Sequence, residues 1–129
     1  MAWVDLIVVL ALVQLAVFGV LVGRARGRYG VKAPATTGNE SFERYYRVQV
    51  NTIELLVMFV PGCLLAVHYV ASPWVAGLGV VYLVGRLIYL QAYVSEPSRR
   101  GLGFGLSFIP IIALLGISLV GSLLALARD

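Results

Sequence analysis

Two stretches of this 129-residue chain space their polar side chains as one face of a helix would. In the first, Arg44, Arg47, Asn51 and Glu54 fall within roughly an 80° sector at 100° per residue. In the second, Tyr82, Arg86, Tyr89 and Tyr93 form a stripe roughly 60° wide. The residue types complement one another. Arginine grips a carboxylate in a two-toothed fork, glutamate takes an ammonium, and asparagine and tyrosine serve peptide amides. Two such stripes facing each other would enclose a cleft, closed below by Glu54 and Arg86, for a small polar ligand of net negative charge.

The elements that must carry these stripes are membrane spans. Only 12% of the residues are charged and 60% are hydrophobic, with a mean hydropathy of +0.94. A soluble domain carries roughly 25% charged residues, so a soluble enzyme, a disordered tail and a nucleic-acid module are excluded. The single cysteine, Cys63, permits no intrachain disulfide and no CxxC metal site, and no metal is expected. The apolar residues fall into blocks that predict an all-α integral membrane bundle of four transmembrane helices in one domain, with spans near 4–23, 42–71, 74–94 and 102–127. The first begins after Asp5 and is followed by Arg24, Arg26 and Arg28, the reverse of a cleaved signal peptide. The second starts near Glu40, with Thr37 and Glu40 as a capping box, and Pro61 kinks it.

Eight of the ten cations (Arg24, Arg26, Arg28, Lys32, Arg44, Arg47, Arg99 and Arg100) belong to the basic connection at 24–39, the connection at 95–100, and the helix ends beside them. With four spans these share one side, which the positive-inside rule makes cytoplasmic, so both termini face away from it. Compact loops and the lack of a retention tail point to a bacterial inner membrane. An ionisable group inside a span costs about 2.5–3.5 kcal/mol on insertion scales, and the bland alternatives are interfacial anchors and a Glu54–Arg86 ion pair. Neither explains Asn51, Tyr89 and Tyr93 on the same faces.

The segment Phe42-Glu43-Arg44-Tyr45-Tyr46-Arg47-Val48-Gln49-Val50-Asn51-Thr52-Ile53-Glu54 resembles the signature of the MAPEG family, which includes microsomal glutathione transferases and leukotriene C4 synthase. Ala35-Thr36-Thr37-Gly38, the run Val81-Tyr82-Leu83-Val84-Gly85-Arg86-Leu87-Ile88-Tyr89, and then Gln91, Tyr93 and Arg100 extend the resemblance over nearly the whole chain. It implies a homotrimer in membrane lipid, with glutathione as co-substrate bound between neighbouring subunits near the cytosolic face. Carried over by motif position, Arg47, Asn51, Glu54, Tyr89 and Tyr93 would bind glutathione from one subunit, supported by Arg44 and Arg86. Arg26 and Gln49 would reach it from the neighbour; Gln49 projects roughly opposite to the Arg47–Asn51–Glu54 face. Arg100 would be the catalytic residue, stabilising the thiolate that attacks a hydrophobic electrophile or reduces a lipid hydroperoxide, with Arg99 one residue away. The resemblance thus implies a glutathione S-transferase, with peroxidase activity as a companion.

Two positions depart from the family's pattern: Leu55 stands where several members carry an aromatic, and Val57 where they often carry proline. A non-catalytic lipid-binding homologue is a second class of function. A small four-helix transporter is a third, though it would place its carboxylate in the first span, where only Asp5 stands at the extreme start. Cys63 is read as packing, Trp3, Trp74 and His68 as interfacial residues, and Gly77, Gly79, Gly85, Gly116 and Gly121 as points of close helix approach.

Overall fold

The computed structural model describes every residue from Met1 to Asp129. Four helices, α1 (Ala2–Tyr29), α2 (Glu40–Ala66), α3 (Ser72–Ser95) and α4 (Gly101–Arg128), account for nearly all of the chain, with one 3-10 turn at Pro97–Arg99. All four are long and apolar enough to cross a membrane.

Several boundaries differ from the sequence expectation. Helix α1 runs through the basic segment, so Arg24, Arg26 and Arg28 ride on its last turns rather than in a loop; it stops at Gly30, whose φ of 69° only glycine adopts readily. Cations there sit at the negative end of the helix dipole. Thr37 does not cap α2. The cap is Asn39, which is extended (φ −151°, ψ 125°) and accepts the Phe42 amide on Oδ1 at 3.0 Å. At its far end α2 stops at Ala66 instead of continuing to residue 71. The chain then tightens through His68 to Leu65 and Tyr69 to Ala66 backbone bonds before Pro73 opens α3.

Val4, Ile7 and Ala11 of α1, Leu55, Phe59 and Cys63 of α2, Val75 and Tyr82 of α3, and Ile111 and Leu114 of α4 form one buried cluster. Outside it the bundle presents Leu6, Val9, Val13, Val17, Val20, Ile109, Ile112 and Leu119 outward, which in water would be a liability and in lipid is the solvated face. Trp3 and Trp74 stand exposed near the end that carries the termini. Helix α3 packs most extensively on α4. Gly85 and Gly103 explain how close they come: a Cβ on Gly85 would lie 2.7 Å from the Ser107 amide nitrogen, and one on Gly103 would strike the Tyr89 backbone. Gly79 and Gly121 are also approached closely, whereas Gly77 and Gly116 face open space and serve no such contact.

Candidate functional site: a polar cavity at the basic end of the bundle

The C-termini of α1 and α3 and the N-termini of α2 and α4 lie at the same end of the bundle, and this end carries the eight cations. There a cavity of about 360 Å³ opens between α2, α3 and the start of α4. Its lining is Arg47, Val50, Asn51 and Glu54 from α2, Tyr89 and Tyr93 from α3, and Arg100. Six of these seven are residues singled out by sequence, drawn from two segments 35 positions apart in the chain, Arg47–Glu54 and Tyr89–Arg100.

Tyr89, Tyr93 and Arg100 are held by identifiable contacts. Tyr89 is buried, with its ring 5.5 Å from that of Tyr93 and 6.3 Å from Phe104, so the aromatic wall is continuous from α3 to α4. Its backbone is where α4 comes closest, at Gly103. Arg100 precedes α4 and lines the cavity, and the tip of its side chain is held at the adjoining 3-10 turn, where Nη1 donates to the Pro97 carbonyl at 2.9 Å. Arg99 is directed elsewhere: its Nε pairs with Glu96 Oε2 at 2.9 Å and it does not line the cavity. Arg47 and Glu54 are exposed and free of any ion pair within the chain.

Arg44 does not line this cavity. Its Nη1 donates to the Val94 and Ser95 carbonyls at the end of α3, at 3.1 and 3.4 Å, while Nη2 meets Glu40 at 2.8 Å. It is a clamp between α2 and α3, satisfying carbonyls that a helix end leaves unpaired.

Arg86 corrects the sequence reading in two respects. It does not close the cleft and it does not pair with Glu54; it lies behind the cavity wall, wholly buried. Its Nε donates to Ser107 Oγ at 2.8 Å, and Nη1 donates to Asn51 Oδ1 at 2.7 Å and to Thr52 Oγ1 at 3.1 Å. The guanidinium carbon stands 4.4 Å from the centre of the Tyr89 ring. Tyr82 likewise belongs to the core, stacked on Phe59 at 3.9 Å between ring centres, not to the cleft. The stripe on α3 divides where α4 covers it, so only its last two tyrosines reach the cavity. Thr52 and Ser107 were not singled out in the sequence. Their signal was faint: a hydroxyl next to Asn51, and one of three serines in the last apolar run, four residues after Gly103.

Gln49 and Arg26 also stay outside the cavity within one chain. Gln49 is on the other side of α2, against α1, where a Cβ on Gly19 would come within 3.2 Å of its Nε2. Arg26 gathers the first loop, donating from Nη1 to the Ala35 carbonyl at 2.6 Å, and lies over the Phe42 ring with its guanidinium carbon 4.8 Å from the centre. Leu55, the departure from the aromatic pattern, is buried in the core, and Val57 is exposed on the outer face.

The sequence profile of the MAPEG family matches residues 4–120, which reaches into all four helices. An uncharacterised protein from Synechocystis is 44% identical over 124 residues, covering 96% of this chain and 88% of that protein. Human microsomal glutathione S-transferase 2 is 37% identical over 115 residues, covering 89% of this chain and 76% of its own. Bovine leukotriene C4 synthase is 37% identical over 95 residues, covering 66% of this chain and 57% of its own. With a four-helix apolar bundle and a family match over most of its length, the chain is an integral, multi-pass membrane protein and belongs to the MAPEG family.

Proposed function

We propose that this protein is an integral-membrane glutathione S-transferase that holds glutathione in the cavity at the basic end and presents its sulfur as a thiolate to hydrophobic electrophiles. The observation that carries this reading is the single cavity lined by Arg47, Asn51, Glu54, Tyr89, Tyr93 and Arg100. At about 360 Å³ it falls inside the ~300–1,000 Å³ range of small-molecule sites. Two arginines, one carboxylate, one amide and two phenols match the two carboxylates, one amine and two amides of glutathione. The names of the human and bovine relatives support the same chemistry.

A free thiol titrates near pH ~8.5, so only a few per cent of it is anionic at neutral pH. Arg100, a permanent cation, favours the anion and so raises the concentration of nucleophile. Its freedom from carboxylates, against the pairing of Arg99 with Glu96, supports Arg100 as the catalytic residue. The thiolate forms the carbon–sulfur bond and the leaving group departs; no protein nucleophile is consumed. Reduction of a lipid hydroperoxide by the same thiolate is the companion activity.

The protein works as a homotrimer in this reading, each chain forming one domain. Arg26 and Gln49 then serve a neighbour's cavity, since both project away from their own. The basic end faces the cytoplasm of a bacterial inner membrane, and the electrophile arrives from the lipid. Purified protein given glutathione and a chlorinated aromatic should release halide and form the conjugate. Absence of both conjugation and glutathione binding would exclude the proposal.

A further inference from the structure

The wholly buried Arg86 has no carboxylate partner, because the ion pairs in the chain are Arg44–Glu40 and Arg99–Glu96. A charge in a span needs compensation, and here three neutral oxygens take Nε and Nη1, while Nη2 is buried without a partner. Two of them are already committed as donors: Thr52 Oγ1 donates to the Val48 carbonyl and Ser107 Oγ to the Gly103 carbonyl, each at 2.7 Å. Toward Arg86 these hydroxyls therefore act only as acceptors. The third is the amide of Asn51, which also lines the cavity. A guanidinium has no lone pair to offer, so the Asn51 atom facing it at 2.7 Å must be the oxygen, and the amide cannot turn over without setting its N–H groups against a cation.

We infer that Arg86 is a positioning residue that fixes the polarity of Asn51, so that Asn51 meets the ligand as a donor and selects a carbonyl or carboxylate oxygen at that point of the cavity. The amide keeps its two N–H groups for the ligand. The remaining lone pair of Oδ1 lies beside a fixed positive charge, where an ammonium is disfavoured. The ammonium of a zwitterionic ligand is thereby directed to Glu54, the one carboxylate in the lining. Tyr89 links the same two regions, since its ring covers the guanidinium and also forms part of the wall. The ligand consequence rests on the proposed glutathione site; the pairing of Arg86 with Asn51 does not.

The test is a double-substitution cycle read in two ways on the detergent-purified full chain. Arg86→Lys keeps the charge and loses the fork, Arg86→Met keeps volume without charge, and each is combined with Asn51→Ala. By glutathione titration, Arg86→Met should weaken binding about tenfold when Asn51 is present and less than about twofold when it is alanine, while Arg86→Lys, still a donor without a lone pair, should lose less than Arg86→Met. Equal losses in the two backgrounds would mean that Arg86 only supports the fold, and would overturn the inference. In the unliganded protein the thermal losses of the two substitutions should be less than additive, because each breaks the same bond. Additive losses would overturn the pairing itself, whatever ligand is used. If Arg86→Met fails to fold, Arg86→Gln, uncharged and able to accept as well as donate, takes its place in both cycles. Failure of the unsubstituted protein to bind glutathione, with thermal coupling intact, would instead refute the proposed function.

Discussion

Arg47 and Arg100 stand at the open side of the cavity while Asn51 and Tyr89 are held from behind by Arg86, and these positions call for different behaviour on substitution. In the proposed site, Arg47→Ala would remove a charge-assisted contact made alike in ground state and transition state. KM for glutathione should rise about tenfold with kcat little changed, measured by initial rates at varied glutathione. Tyr82 offers a contrasting case. Its hydroxyl is buried without a hydrogen-bond partner, so Tyr82→Phe should leave the thermal midpoint unchanged or raise it; a clear loss in a detergent melt would show an unsuspected partner for that oxygen. At this scale the polar residues of the site were legible because hydrophobic spans make every polar residue conspicuous. The direction of Arg86 was not. Sequence spacing placed it on the polar stripe, but only the packing of α4 through Gly103 and Ser107 decides that it is covered instead of lining the cleft.

At the scale of elements, the α3–α4 contact places Tyr89, which lines the cavity. Gly103 has no room for a side chain beside Tyr89, whereas Gly101, two residues earlier, has open space around it. Gly103→Ala should therefore cost about 1–3 kcal/mol through overpacking and weaken glutathione binding by displacing Tyr89. Gly101→Ala should be neutral or slightly stabilising. A detergent melt and a glutathione titration on the pair check this, and equal behaviour of the two variants would contradict the packing account. The same scale shows where sequence reading reached least far. Span existence was clear from the apolar blocks, yet α1 extended six residues past its expected end at 23 to Tyr29, because arginine is a good helix former and long enough to carry its charge toward the surface. The α2 start was near the expected Glu40, but Asn39 took the capping role that Thr37 had been assigned, since a cap must immediately precede the first turn.

At the scale of the whole molecule, five of the six chemically matched lining residues come from α2 and α3 at the basic end, and Gln49 and Arg26 point away from them. If those two serve a neighbour, Gln49→Ala and Arg47→Ala subunits should complement each other. Co-assembled oligomers would regain glutathione binding at a fraction of sites that neither variant retains to the same degree alone; no recovery would contradict a site shared between subunits. The fold class was legible from hydropathy alone, and the end of the bundle bearing the site from the placement of cations. The assembly is not written in the contacts of one chain, and rests on the direction of these two side chains. The central claim is that the cavity converts bound glutathione to its thiolate through Arg100. The ultraviolet absorbance of thiolate, followed as glutathione is titrated into the purified protein at neutral pH, tests it most directly. If Arg100 stabilises the thiolate, the unsubstituted protein gives a saturable thiolate signal that Arg100→Ala abolishes and Arg99→Ala preserves; saturable binding with no thiolate signal, or a signal that survives Arg100→Ala, would show that Arg100 does not do so.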